Sequence, residues 1–152
     1  MKTIRLEPVS GDDAGLKAAL MAAGLPTDDI LDEGRLFFKA VAEHGATLGY
    51  SGLEACGDAY LLRSLAVLPN HRDKGLGRIL TQLTLREVAD GVDIYLATTT
   101  ASGFFEALGF DVVERSAVPA SILSTRQLSG LCPASATVMT MRGHQPDHVT
   151  RP

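Results

Sequence analysis

Leu65-Ala66-Val67-Leu68-Pro69-Asn70-His71-Arg72-Asp73-Lys74-Gly75-Leu76-Gly77-Arg78 runs from an apolar strand through a short polar turn into a helix. Upstream, Tyr60–Leu68 is strongly apolar and bounded by Gly57-Asp58 and Pro69-Asn70, the pattern of a buried central strand. Downstream, Leu76, Ile79, Leu80, Leu83 and Val88 keep the helical period, which predicts a helix from Gly75 to Asp90 ended by Gly91. The turn between them reads Arg-x-x-Gly-x-Gly. The first N–H groups of a helix have no intrahelical partner, and the helix dipole puts partial positive charge at the same end. Gly75 and Gly77 let backbone approach a phosphate closely, while Arg72, Lys74 and Arg78 add charge. Together they make a cradle for a pyrophosphate-like anion. A glycine turn with solvated charges is the plainer alternative for a lone Gly-x-Gly. The strand before, the long helix after and three cations favour the anion site. No Gly-x-x-x-x-Gly-Lys-Ser/Thr is present, and Leu80 stands where a dinucleotide fingerprint needs its third glycine.

Working outward, Ile4–Val9 alternates as a first strand. Ser10 with Asp13 looks like a capping box, and Leu16, Ala19, Leu20 and Ala23 share one helical face ended by Gly24. Thr27–Leu31 is expected to start a short second helix. Leu36–Val41 and Ala46–Ala55 read as a hairpin turning at His44-Gly45. Beyond the long helix come a strand at Ile94–Thr98, a short helix at Ala101–Leu108 stopped by Gly109, and a strand at Phe110–Arg115. A short helix opening at Pro119 and a final strand at Ala136–Arg142 follow. The order is α+β in one domain, residues 1–142. Residues 143–152 hold two prolines and two histidines but almost nothing apolar, and are expected to form a flexible tail.

The chain has 152 residues, a net charge of −4, 45% apolar and 21% charged residues, which excludes a wholly disordered chain. No apolar run is long enough to span a membrane, and Met1–Glu7 lacks the apolar core of a secretory signal, so a cytoplasmic protein without membrane partners is expected. The acidic balance argues against nucleic acid as a partner. Cys56 and Cys132 could form one bridge but suit two reduced thiols better; no Cys-rich metal site is expected.

On the loop Arg72-Asp73-Lys74-Gly75-Leu76-Gly77 and the strand before it, the sequence resembles the GNAT (Gcn5-related) N-acetyltransferases, whose loop reads Arg/Gln-x-x-Gly-x-Gly/Ala. Ile94–Thr99 followed by Ala101–Phe110 is similar to the family's next strand, helix and Gly-Phe ending. Leu96–Thr100 with Gly103-Phe104-Phe105, and Ser129–Ala136, resemble the subgroup associated with arsenic-resistance gene clusters, itself similar to amino-acid N-acetyltransferases.

The resemblance implies a mixed sheet of six to seven strands flanked by helices, with acetyl-CoA in a splay between Tyr60–Leu68 and Ile94–Thr98. It implies that amides of Arg72, Asp73, Lys74, Gly75, Leu76, Gly77 and Arg78 hold the pyrophosphate. The strand Leu65-Ala66-Val67 would bind the pantetheine arm, with the backbone of Leu65 and Val67 also polarising the thioester. Thr99, at the end of the second strand, and Phe104 and Phe105 complete the cofactor side. The acceptor amine attacks the thioester directly, so the enzyme mainly positions reactants and stabilises the oxyanion.

The sequence departs from the family in two places. The usual proton-donating tyrosine position is Phe105, which cannot donate, and the usual strand carboxylate position is Leu61. Glu54 is the nearest candidate for a base acting through water, with a solvated strand carboxylate as the alternative. Arg63 interrupts an apolar strand, and burying a guanidinium without a partner is costly. It is expected to clamp an acceptor carboxylate, or else to pair with Glu54. Cys132 suits a packed thiol better than an arsenic or metal ligand. The resemblance implies an acyltransferase (EC 2.3.1.-) moving acetyl from acetyl-CoA to a small amine, an amino acid or an analogue such as an arsenic-containing one. A non-catalytic acetyl-CoA-binding module and a protein N-acetyltransferase are the alternatives, no metal is required, and a homodimer is left open. Residues 63–86 carry five Arg or Lys against the single acid Asp73, so the acidic average conceals a basic segment around the two glycines.

Overall fold

The computed structural model describes residues 3–72 and 74–144. Seven strands form a mixed sheet: β1 Ile4–Val9, β2 Arg35–Ala42, β3 Thr47–Cys56, β4 Ala59–Val67, β5 Asp93–Thr98, β6 Asp111–Val112 and β7 Thr137–Met141. Their order is β1-β2-β3-β4-β5-β7-β6. The chain divides into two compact units, residues 1–54 with 63–87 and residues 55–62 with 88–152, and β3 and β4 contribute to both.

In the first unit β1 and β3 pair antiparallel to β2, with Ile4 opposite Ala42 and Arg35 opposite Glu54. Helix α1 (Ala14–Ala22) and helix α2 (Leu76–Leu85) each cover an apolar cluster. Leu16, Ala19 and Leu20 of α1 pack with Phe37, Tyr50 and Ala66. Leu80 of α2 packs with Ala40, Ala42 and Leu48, flanked by Leu65 and Val67. The alternation of β2 thus sends Phe37 to one cluster and Ala40 and Ala42 to the other. Each buried leucine contributes about 1.5–3 kcal/mol.

In the second unit β4 and β5 pair in parallel, Ala59 opposite Asp93 and Leu61 opposite Tyr95, and β7 pairs antiparallel to β5. Leu61, Tyr95, Ile122 and Val138 centre its core. Helix α3 spans Ser102–Ala107 and helix α4 spans Ala120–Leu123. No helix among the described residues is long and apolar enough to cross a membrane.

Several expectations need correction. The α1 cap is Asp13, whose Oδ2 accepts from the Leu16 amide at 2.9 Å; Ser10 lies before it, its carbonyl accepting from Asp13 N–H and its Oγ from Asp12 N–H. Thr27–Leu31 forms turns instead of a helix, because the Asp29 side chain is drawn into a buried ionic cluster. Helix α2 stops at Leu85, five residues early. The Val88 carbonyl takes the His144 ring (3.0 Å) and the Gly91 amide takes the His144 carbonyl (2.7 Å), so groups that would extend the helix are used elsewhere. Of the residues expected in a tail, His144 is buried and Gly143 N–H donates to Asp93 Oδ1, while residues 145–152 lie outside the described residues. The strand expected at Phe110–Arg115 shrinks to Asp111–Val112.

Candidate active site

The loop after β4 meets the requirements of an anion cradle. Gly75 is the N-cap of α2 with φ 73, the left-handed region that glycine occupies at least cost. No side chain caps the helix, its first turn holds no acid, and nothing lies within 4 Å of where a Gly75 Cβ would stand. Among the described residues no carboxylate competes for the helix's first amides. Lys74 and Arg78 are exposed beside them. Arg72 is also exposed, and its Nε–H donates to the Val67 carbonyl at 2.9 Å, bracing the loop against the end of β4. Asp73 lies outside the described residues.

A hydroxyl contact that the sequence did not signal ties α2 to β3: Thr84 Oγ1 is hydrogen-bonded to Ser51 Oγ at 2.7 Å. Within the helix, Thr84 Oγ1 also lies 2.7 Å from the Leu80 carbonyl and Thr81 Oγ1 donates to the Gly77 carbonyl at 2.7 Å. All three side chains are fully buried. Their signal, Ser and Thr on otherwise apolar faces, is easily read as ordinary packing. On β3, Gly49 also matters: a Cβ there would press on the Ala66 carbonyl at 2.6 Å, so only glycine lets β3 lie this close to the Ala66 backbone.

Behind the loop, β4 carries a kink. Ser64 has φ 59, the one positive φ outside glycine among the described residues. The strand changes phase there, as a β-bulge does. Arg63 rests on the Phe37 ring (5.5 Å), and Ala66 packs in that ring's cluster, whereas Leu65 and Val67 pack with Leu80. In an unkinked strand Arg63, Leu65 and Val67 would share a face.

Arg63 and Glu54 come together, but not as expected. Arg63 is 5% exposed. Its Nη1 and Nη2 each donate to Asp29 at 2.6 Å, Nη1 also to Glu54 Oε1 at 3.2 Å, and Nε to Ser64 Oγ at 3.1 Å. Arg35 Nη2 lies 3.3 Å from Glu54 Oε2 and 3.4 Å from Asp29 Oδ2. Two cations thus meet two buried carboxylates. Burial opposes the charge on Asp29, yet the hydrogen bonds and charge of Arg63, with Arg35, hold its carboxyl below the usual carboxylate range. The acceptor-clamp reading of Arg63 is therefore replaced by the ion pair with Glu54, enlarged by Asp29 and Arg35. Glu54 is also reassigned. A base working through water needs an accessible oxygen, but each Glu54 oxygen faces a guanidinium and the side chain keeps 7% of its surface.

The remaining positions belong to the second unit. Thr99 is exposed at the end of β5, and Phe104 is 41% exposed. Phe105 is buried edge-on between Phe104 (5.0 Å) and Phe110 (5.8 Å), a packing role. Thr98 serves the start of α3, its Oγ1 accepting from the Ala101 amide at 3.0 Å. Cys132 Sγ lies 3.6 Å from Gln127 Oε1. Among the described residues no group of three or more His, Cys, Asp or Glu is placed to hold a metal ion.

Comparison with known proteins agrees with this geometry. An uncharacterized N-acetyltransferase of Chlorobaculum tepidum is 37% identical over 62 residues, 40% of each chain. N-acetylglutamate synthase from Neisseria gonorrhoeae, solved with coenzyme A and N-acetyl-glutamate, superposes with TM-score 0.72 at 19% identity, over 95% of this chain and 36% of that one. Tetrahymena GCN5 superposes with TM-score 0.64 at 15% identity, over 93% and 96% of the two chains. This chain therefore spans well under two thirds of the first two relatives, and the solved structures share its fold. Residues 33–112, over half the chain, match the acetyltransferase (GNAT) domain, and the chain belongs to that family.

Proposed function

We propose that this chain is an acetyl-CoA-dependent N-acetyltransferase acting on the amine of a small, amino-acid-like acceptor. The observation that carries this reading is the open N-terminus of α2: a left-handed Gly75 with no capping side chain, flanked by Lys74 and Arg78 and following the β4 strand. A CoA pyrophosphate suits those amides and cations. The pantetheine arm then runs back along Leu65–Val67, which supplies N–H groups for the thioester carbonyl. The acceptor nitrogen forms the new C–N bond, the C–S bond breaks, and its electrons leave on the CoA thiolate, whose ordinary pKa near 8.5 makes it a tolerable leaving group without an acid. The amine's surplus proton goes to solvent. The chain's own work is positioning and oxyanion stabilisation.

The N-acetylglutamate synthase neighbour, solved with N-acetyl-glutamate, makes amino acids the first acceptors to try. The experiment is thiol release from acetyl-CoA with a panel of amino acids, simple amines and a lysine peptide. Release with an amino acid supports the proposal. Release only with the peptide points to a protein acetyltransferase. Measurable CoA binding with no release for any amine favours a non-catalytic binding module, a second reading supported by the closed positions of Glu54 and Phe105.

A further inference from the structure

We propose that Arg63 is a positioning residue for acetyl transfer. Asp29 and Glu54 hold its guanidinium, and its Nε–H holds Ser64 Oγ, so that the left-handed kink keeps the Leu65–Val67 backbone in the shape that receives the thioester. The proposal rests on the acetyltransferase reading for its consequence, but its geometry stands on the first unit alone.

A non-glycine residue in the left-handed region is strained, and such strain persists where the surroundings over-determine it. At Ser64 the over-determining contact is with its own neighbour. Arg63 Nε donates to Ser64 Oγ at 3.1 Å. That nitrogen is itself fixed, because the far end of the guanidinium is locked at 2.6 Å to both oxygens of Asp29, which is fully buried. Phe37 supports the flat face of the guanidinium at 5.5 Å. The fork geometry explains why the residue is arginine: lysine could meet Asp29 but has no second nitrogen to reach back to Ser64. The kink also decides which face of β4 Leu65 and Val67 present, since both pack on the α2 side and Ala66 on the α1 side. A one-residue slip would reverse all three. Arg63 touches neither cradle nor loop, so it acts on the reaction only through the Ser64 backbone.

Ser64→Gly separates positioning from mere stabilisation. Glycine adopts φ 59 without strain, so the fold is kept while the Arg63 contact is lost. Ser64→Asn tolerates the left-handed region and retains an acceptor. Arg63→Lys keeps the charge facing Asp29. The full chain is compared by acetyl-CoA turnover, melting temperature and NMR relaxation of the Leu65 and Val67 amides. In Ser64→Gly and Arg63→Lys, order parameters should fall from the rigid value of about 0.85 towards 0.6. In Ser64→Gly the melting temperature should hold within about 3 °C. In both, kcat should drop at least about tenfold while KM for acetyl-CoA changes less than about twofold. Ser64→Asn should recover part of the loss. Unchanged order parameters and kcat in Ser64→Gly would overturn the proposal and leave Arg63 a structural anchor. If the wild type binds no acetyl-CoA, the functional reading fails instead, and the relaxation data still decide whether Arg63 shapes the kink.

Discussion

The basic segment of residues 63–86 contains two kinds of cation that composition cannot tell apart. Arg63 lies in a buried cluster where Asp29 and Glu54 meet its charge and that of Arg35. Lys74 and Arg78 lie exposed around a helix terminus that no acid among the described residues caps. The first arrangement consumes charge internally; the second leaves it for a ligand. Both lie in the same strand-and-turn sequence, yet one set is spent on buried carboxylates and the other is open to solvent. The positive charge of the segment counts towards an anion only after Arg63 has been subtracted.

The largest effect should come from the internal set. Arg63→Ala takes from the fully buried Asp29 the guanidinium that meets both its oxygens at 2.6 Å, and breaking a buried pair by removing one partner costs about 3–5 kcal/mol. Urea unfolding should show that loss; less than about 1 kcal/mol would mean that the cluster is worth no more than a surface pair. The same cluster sets a pH signature. Because Asp29 is held below its ordinary value of 3.8, its contribution is present above that pH and disappears as pH falls through the folded value. The stability gap between wild type and Asp29→Asn should therefore be wide at neutral pH and narrow on acidification below about pH 4. A gap that widens on acidification would contradict the assigned ion pairs.

Next in size is Gly75→Glu, which puts a Cβ at φ 73 and a carboxylate at the helix end proposed for the CoA pyrophosphate. Strain of about 1–2 kcal/mol should accompany a loss of CoA affinity of about a hundredfold or more. Gly24→Glu is the matching control: it has φ 71, nothing within 4 Å of a Cβ, and a position after α1, away from the loop. It should lose similar stability and keep CoA affinity. Equal affinities in the two variants, read by calorimetry, would detach the cradle from CoA.

The elements were legible where local pattern and tertiary context agree. Alternation placed β1 to β4 within a residue or two, and the Gly75–Gly77 turn marked the helix start, because glycine and a helix terminus act locally. What escaped depends on partners far along the chain. Asp29 looked like part of a short helix, and only its pairing with Arg63, 34 residues on, takes it into the core. The end of α2 was missed because its backbone partners come from His144, 56 residues beyond Val88. Glu54 and Arg63 were rightly paired as one option, but the acceptor-clamp alternative could be removed only by seeing every donor of the guanidinium engaged. The Ser64 kink had no sequence signal: a serine between Arg63 and Leu65 is ordinary until its φ is known.

The smallest effect belongs to the external set, and its size is what tests the contrast. Arg78 is exposed on the first turn of α2 and pairs with no carboxylate among the described residues, so Arg78→Ala should leave the melting temperature unchanged within about 2 °C. Its removal should weaken CoA binding about three- to tenfold at low salt, the worth of one solvent-exposed charge near an anion. That difference should shrink as salt rises, because the screening length falls from about 10 Å at 0.1 M to about 3 Å at 1 M. The stability lost in Arg63→Ala should barely respond to the same salt, since its partners are out of water. Parallel titrations of both variants therefore read the two charge sets on one axis. A salt-insensitive Arg78 effect would mean that this side chain, too, is held in a desolvated contact when CoA is bound.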